Sequence, residues 1–145
     1  MNIRRMLKSD EKTIIEMMRE FYSSPAVSTN GSDEIFATDV KFSIEDNPYL
    51  EGYVLTDDNK IIGYTMLAKS FSTEFGKPCI WVEDLYIIKE YRGKKLGELI
   101  LSFIDEKYPH HLKRLEVEEE NERAVKLYKR CGYTSLPYLE LKKGE

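Results

Sequence analysis

The feature that most constrains the fold is a basic, glycine-containing loop between a strand-like run and a helix-like run. The loop Tyr91–Gly97 reads YRGKKLG, follows CIWVEDLYII and precedes ELILSFIDEKY. A helix that starts within such a loop directs its first backbone N–H groups toward the carboxyl end of the preceding strand. The loop is therefore either a solvated turn or a place where an anion binds.

The first turn of a helix is a suitable place for a phosphate. It carries about +0.5 charge from the helix dipole and leaves N–H groups unpaired. Gly93 and Gly97 allow a ligand to approach the backbone, and Arg92, Lys94 and Lys95 add positive charge. Neither GxxxxGK[ST] nor GxGxxG occurs here. From the residues alone, the phosphate site and the solvated turn remain equally open.

Composition limits the classes of function. Of the 145 residues, 41% are apolar and 33% charged, which is typical of a soluble globular protein and predicts one domain over residues 1–145. The net charge of −4 argues against nucleic acid as a partner, so any anion site must be local. Since no apolar run suits a membrane span or signal peptide, we expect a cytoplasmic protein without a membrane partner.

Helix and strand patterns alternate along the chain, which predicts an α/β (α+β) fold. We expect a mixed central sheet of about six to seven strands flanked by about four helices. The expected elements are a strand over Ile3–Leu7, a helix capped by Ser9 and ending near Tyr22, a helix over about Ser32–Asp46, a hairpin of GYVLT and IIGYTMLAKSF, the strand CIWVEDLYII, a helix over about Leu96–Tyr108, the strand LKRLEVE, a helix over Asn121–Arg130, and a final strand pair in GYTSLPYLELKK.

Two segments resemble conserved motifs of one enzyme family. DLYIIKEYRGKKLGELIL resembles motif A of the GCN5-related N-acetyltransferases, the GNAT superfamily, and NERAVKLYKRCGY resembles motif B. The order of the upstream elements is also similar, so the resemblance spans nearly the whole chain. It implies a GNAT-like single domain that uses acetyl-CoA as acetyl donor and needs no metal.

The resemblance also implies a set of residues that bind the donor. The backbone amides of the loop would hold the pyrophosphate, and those of a splayed strand would pair with the pantetheine arm and the thioester carbonyl. An asparagine at the start of motif B would contact the same arm. The implied cofactor-binding residues are Leu85, Tyr86, Ile87, Arg92, Gly93, Lys94, Lys95, Leu96, Gly97, Asn121 and Tyr128.

Lys95 departs from the family pattern, which has a glycine at this position. A positive φ would strain a lysine, whereas a helical backbone would accept it at little cost. We expect the helical backbone here, with the lysine charge assisting the loop.

Tyr128 is the candidate general acid. A thiol has a pKa of about 8.5 and a tyrosine about 10, so a neutral tyrosine can donate a hydrogen bond to a departing thiolate. Ala124, Leu127, Tyr128 and Cys131 also form a stripe at helical spacing, which favours a core role. The resemblance implies the acid role. Asn121 is predicted by position to cap its helix.

Glu83 and Glu116 are the two candidates for the general base. Glu83 lies between apolar residues, where burial would raise its pKa, and Glu116 corresponds to a glutamate that serves as base in some relatives. Each is also an ordinary solvated strand residue by pattern, and other relatives use water. We rank the two equally.

The predicted function is an N-acetyltransferase that moves an acetyl group from acetyl-CoA to a primary amine of a small molecule or peptide, by direct transfer in a ternary complex. The alternatives are a non-catalytic CoA- or nucleotide-binding regulatory domain and a plain interaction domain. The resemblance places the acceptor surface at about Phe21–Asp46 and Ser70–Pro78 without identifying the amine. Homodimers are common among relatives, so a homodimer is a further expectation.

Overall fold

The structure is a computed structural model that describes residues 1–24 and 31–144. Single helical turns at Lys8–Asp10 and Lys89–Tyr91 join some of its elements. The strands and helices are β1 (Asn2–Arg5), α1 (Glu11–Tyr22), α2 (Asp33–Ile44), β2 (Leu50–Asp57), β3 (Lys60–Ser72), β4 (Lys77–Ile87), α3 (Leu96–Lys107), β5 (Leu112–Leu115) and α4 (Glu122–Arg130).

The five strands form one sheet in chain order, from β1 to β5. The first four pair antiparallel, and β4 and β5 pair parallel because α3 crosses over between them. This mixed sheet with four helices confirms the predicted fold class. The parallel ladder ends at the pair Val82–Leu115, whereas β4 continues to Ile87. The last part of β4 is therefore open on the edge that β5 would cover.

Helices cover both faces of the sheet. On one face α1 and α2 bury Ile14 and Val40 against Tyr64, and on the other α3 buries Ile100 and Ile104. Each fully buried side chain of this kind stabilises the fold by about 1.5–3 kcal/mol. The sheet and its two helical layers hold the open end of β4 in place.

The predicted hairpin is confirmed. Asp58 and Asn59 form its two-residue turn with φ values of 51° and 69°. Positive φ at both central residues gives the turn the twist that antiparallel strands require, and Asp and Asn tolerate it better than most residues.

The expected final strand pair was wrong. Residues 133–144 contain no strand, and the described residues hold five strands instead of six to seven. Leu139 and Leu141 are 85% and 84% exposed, so the alternating pattern of this segment has no layer to pack against. Pro137 also lacks a backbone donor for a ladder.

Three boundaries differ from the prediction. The N-cap position of the first helix is Asp10 instead of Ser9, and its side chain makes no capping hydrogen bond. The Asp10 carboxylate instead accepts the Leu7 N–H at 2.8 Å and pairs with Arg4 at 2.8 Å. The first strand ends at Arg5 instead of Leu7. β5 stops at Leu115, three residues before the end of the predicted strand LKRLEVE.

Candidate active site

The open edge of β4 presents backbone groups to a cleft. Ile88, directly after β4, donates its N–H to the Ile62 carbonyl at 2.9 Å, and Thr65 Oγ1 donates to the Asp84 carbonyl at 2.7 Å, so the backbone groups of Ile88 and Asp84 face β3. Backbone groups alternate in direction along a strand. The amides of Leu85 and Ile87 therefore face the cleft, whereas the amide of Tyr86 faces β3.

A pocket of about 100 Å³ lies where β4 and β5 separate. It brings together five residues singled out from the sequence, among them both candidate bases and the candidate acid. Its lining consists of Phe21, Val82, Glu83, Leu85, Glu116, Val117, Asn121, Ala124 and Tyr128.

The basic loop lies at the start of α3, beside the carboxyl end of β4. Arg92 donates from Nε to the Ile87 carbonyl at 2.8 Å, and its guanidinium lies 5.3 Å from the centre of the Tyr86 ring. Within the described part of the chain, the backbone amides from Gly93 to Glu98 have no backbone acceptor, and the first such bond is Leu99 N–H to Lys95 at 3.2 Å. Six consecutive donors are thus available to an anion.

The expectation of a helical backbone at Lys95 was wrong. Lys95 has φ 61° and ψ 25°, a left-handed conformation, and it stands at the N-cap of α3. The chain turns from the loop into the helix at this residue, which explains why a glycine suits the position. The strain that we associated with a positive φ is therefore present.

Gly97 lies against Leu127 of α4. A Cβ on Gly97 would lie 2.9 Å from Leu127 Cδ2, so the end of the Leu127 side chain would have to shift to make room for it. Gly93 has φ 80°, and a Cβ there would lie 3.5 Å from a guanidinium nitrogen of Arg123. Arg123 is a cation of the loop that the sequence analysis missed. Arg123 is the second residue of α4, and nothing in the neighbouring sequence indicates that it lies near the loop, because this depends on how α3 and α4 pack.

Tyr128 combines the core and site roles that the sequence left open. It packs against the core of the α3 face, with its ring 5.9 Å from that of Tyr133 in an edge-on arrangement, and it also lines the pocket. Burial raises the pKa of Tyr128 to about 12. Its hydroxyl is therefore protonated at neutral pH and is able to donate.

Asn121 caps α4 as predicted. Its Oδ1 accepts the N–H of Ala124 at 3.3 Å, and the residue lines the pocket. The cap fixes the start of α4, and this helix contributes Ala124 and Tyr128 to the same pocket.

Both candidate bases have raised pKa values. A hydrogen bond to the carboxyl of Glu140, partial burial and the charges of Glu140 and Glu83 raise the pKa of Glu116 to about 7. Desolvation by the surrounding pocket, followed by the charges of Asp84 and Glu140, raises the pKa of Glu83. Glu140, an exposed residue of the C-terminal segment that does not line the pocket, was not predicted from the sequence.

A second acidic group lies behind β4. Asp84 is buried and accepts hydrogen bonds from Tyr22 at 2.9 Å and Tyr64 at 2.6 Å. Burial, followed by the charges of Asp84 and Glu83, raises the pKa of Asp39 on α2 to about 6. Asp39, Asp84 and Glu83 are thus close enough for their charges to affect one another.

Residues 1–24 and 31–144 contain no group of three or more His, Cys, Asp and Glu side chains placed to hold a metal ion. Over the same ranges no helix has both the length and the apolar composition for crossing a membrane.

Comparison with known proteins agrees with this geometry. Residues 13–133 match the Acetyltransferase (GNAT) family. The thialysine N-epsilon-acetyltransferase of Bos taurus is 37% identical to this chain over 84 residues, which are 55% of the chain. The enzyme of the same name from Mus musculus is 27% identical over 147 aligned positions, and the alignment covers 92% of this chain and 84% of the mouse protein. The bovine match spans about half of that protein, 48% of its length.

Solved structures show the same fold. The crystal structure described as a possible acetyltransferase from Clostridium difficile 630 superposes with a TM-score of 0.85 and 20% identity, covering 99% of this chain and 97% of the other. At that level of identity the similarity concerns the fold alone.

Proposed function

The chain belongs to the Acetyltransferase (GNAT) family, and from that premise we propose that it transfers the acetyl group of acetyl-CoA to a primary amine of a small molecule or peptide. The transfer is direct, within a ternary complex of protein, donor and acceptor. The thialysine enzymes that resemble this chain are named for an amine acceptor, which supports an amine as the acceptor class.

One observation carries the proposal: the unpaired amides of the loop and the hydroxyl of Tyr128 flank the same open end of β4. The amides from Gly93 to Glu98 offer the donors that a diphosphate needs. The Leu85 and Ile87 amides continue this row of donors toward the pocket. A thioester held along this path would lie beside Tyr128, which lines the pocket wall.

The residues of the pocket account for the proton transfers. Glu83 or Glu116 takes one proton from the acceptor ammonium, which frees the nitrogen lone pair to attack the thioester carbon. The Leu85 or Ile87 amide donates to the carbonyl oxygen as it gains charge. As the C–S bond breaks, Tyr128 gives its proton to the sulfur and regains one from the new amide nitrogen. One proton, from the glutamate, is released to solvent.

A non-catalytic regulator that binds CoA is the second candidate. The departure of Lys95 from the glycine of the family pattern and the presence of two candidate bases without a preferred one favour it. The protonated Tyr128 in the pocket favours the enzyme, since a regulator has no need of a proton donor beside the thioester.

The first test is donor binding. Acetyl-CoA at about 100 times its Kd should stabilise the protein by about 2.7 kcal/mol, a clear rise in melting temperature. A thiol-release screen of polyamines, aminoglycosides, amino acids and peptide N-termini at fixed acetyl-CoA then identifies the acceptor. Absence of both the shift and thiol release would refute the acetyltransferase.

Tyr128→Phe separates the two candidates. Loss of a general acid should lower kcat by about 100-fold or more, with little change in the Kd of acetyl-CoA, because the ring and its packing remain. An unchanged kcat would deny the tyrosine this role. The wild-type protein binding CoA without turning over any amine of the screen would favour the regulator. The cytoplasmic location and the homodimer stay predictions.

A further inference from the structure

One face of α4 lies along the loop and the start of α3. Leu127 on this face lies against Gly97. Residues four apart on a helix share a face, so Arg123 lies one turn nearer the N-terminus of α4 on the same side. Its Nη2 atom is 3.5 Å from the point where a Cβ on Gly93 would be. The guanidinium of Arg123 therefore reaches from α4 to the loop.

The charge of Arg123 is not paired with a carboxylate. Over residues 1–24 and 31–144 the side chain takes part in no ion pair, and it is exposed. Arg130, two turns further along the same face, differs, because it pairs with Glu98 of α3 at 3.1 Å. Arg123 also lies in the first turn of its helix, where the helix dipole disfavours a cation. An anion beside the guanidinium would offset this disadvantage.

We infer that Arg123 binds the diphosphate of acetyl-CoA together with the loop amides. The inference rests on the acetyltransferase function above, and it adds to that site a side chain from outside the loop. The amides from Gly93 to Glu98 have no backbone acceptor within the described ranges, and they supply one donor each. The guanidinium supplies a full positive charge and a planar fork of donors that matches pairs of phosphate oxygens.

The position of Arg123 selects the diphosphate from the phosphate groups of CoA. Gly93 is the first residue of the row of free amides, and the guanidinium lies beside this residue. A diphosphate held by the row is therefore within reach of Arg123. The remaining phosphate of CoA, on its ribose, is not part of the diphosphate and serves as the alternative that the experiment distinguishes.

The test is the Kd of CoA, measured by calorimetry for the wild type and Arg123→Gln. Loss of a charge-assisted contact should raise the Kd roughly 10- to 100-fold. Arg123→Lys keeps the charge but loses the fork of donors, so its Kd should lie between the two. Lys129→Gln is the matched control, because it removes one positive charge from an exposed position of the same helix, six residues further along. Its Kd should change less than twofold.

Dephospho-CoA identifies the group that Arg123 contacts, because it lacks the ribose phosphate and keeps the diphosphate. Arg123→Gln should weaken the binding of dephospho-CoA by the same factor as that of CoA. A loss seen with CoA alone would assign Arg123 to the ribose phosphate and overturn the inference. Unchanged binding of both compounds would also overturn it and leave the acetyltransferase function standing. A wild-type protein that binds neither compound would refute the function and the inference together.

Discussion

Replacing Lys95 by glycine should make the protein more stable, although it removes a side chain. Lys95 has φ 61° and ψ 25°, where the Cβ of an L-residue crowds its own carbonyl oxygen. Glycine has no Cβ and adopts this conformation freely. The substitution therefore removes strain at the N-cap of α3.

The expected gain is small and measurable. Left-handed backbone costs a residue other than glycine about 1–2 kcal/mol. The greater flexibility of glycine in the unfolded chain offsets about 0.5–1 kcal/mol of this gain in stability. The net stabilisation is about 0.5–1 kcal/mol, which corresponds to a rise in melting temperature of roughly 1–4 °C for a chain of this size.

The assay is urea and thermal unfolding of three variants beside the wild type. Lys95→Ala removes the charge but keeps the Cβ, so it should gain nothing. Lys94→Gly alters a neighbouring residue that has no positive φ, and it should lose about 0.5–1 kcal/mol. Lys95→Gly and Lys95→Ala lose the same charge, so any difference in acetyl-CoA affinity between them reports on the backbone. Equal stability of these two would refute the strain argument.

Two further substitutions test the packing and the charge around the site. Gly97→Ala should change the free energy of unfolding by less than about 1 kcal/mol, because the new Cβ would meet only the end of the Leu127 side chain, 2.9 Å away, and the better helix propensity of alanine offsets that contact. A loss of about 2 kcal/mol or more in urea unfolding would show that Leu127 cannot shift. Burial and the charges of Asp84 and Glu83 raise the pKa of Asp39 to about 6 in the folded protein. Its contribution to the free energy of unfolding is therefore fully present below about pH 4, the pKa of an aspartate in the unfolded chain, and is lost as the pH rises through 6. Asp39→Asn should therefore match the wild type at pH 4 and exceed its stability at pH 8, and an equal difference in urea unfolding at both pH values would contradict this.

The parts of the fold that depend on local pattern were predictable. The Asp58–Asn59 turn, the amphipathic α1 and the strand–loop–helix unit before α3 each have a signal within a few residues. The final strand pair was not predictable from its alternation, because a strand also needs a neighbouring strand and a layer to cover it. Residues 134–144 are exposed in the structure, so this support is absent.

The candidate site was likewise predictable only in part from the sequence. The loop and Tyr128 lie in motifs that can be read from consecutive residues, and the pocket brings Tyr128 together with Glu83, Glu116 and Asn121. The backbone of Lys95 was predicted wrongly. The family's glycine at this position is itself a sign of a left-handed backbone, and Lys95 keeps that backbone although it is not a glycine. Glu140, whose charge contributes to the raised pKa of Glu116, had no signal, since the two residues are 24 positions apart in the chain.

The parallel pairing of β4 with β5 explains why so many of these groups converge. Helices that follow parallel strands begin at the same end of the sheet, so α3 and α4 both present their N-termini there. Gly97 at the start of α3 lies against Leu127 of α4, and Arg123 of the same helix lies beside Gly93 in the loop. β5 stops at Leu115 while β4 runs on to Ile87, which leaves a gap bounded by donors from β4 and the helix N-terminus on one side. Glu83 of β4 and Glu116 just after β5 line the pocket at this gap, which supports the proposal that a cationic amine is bound there.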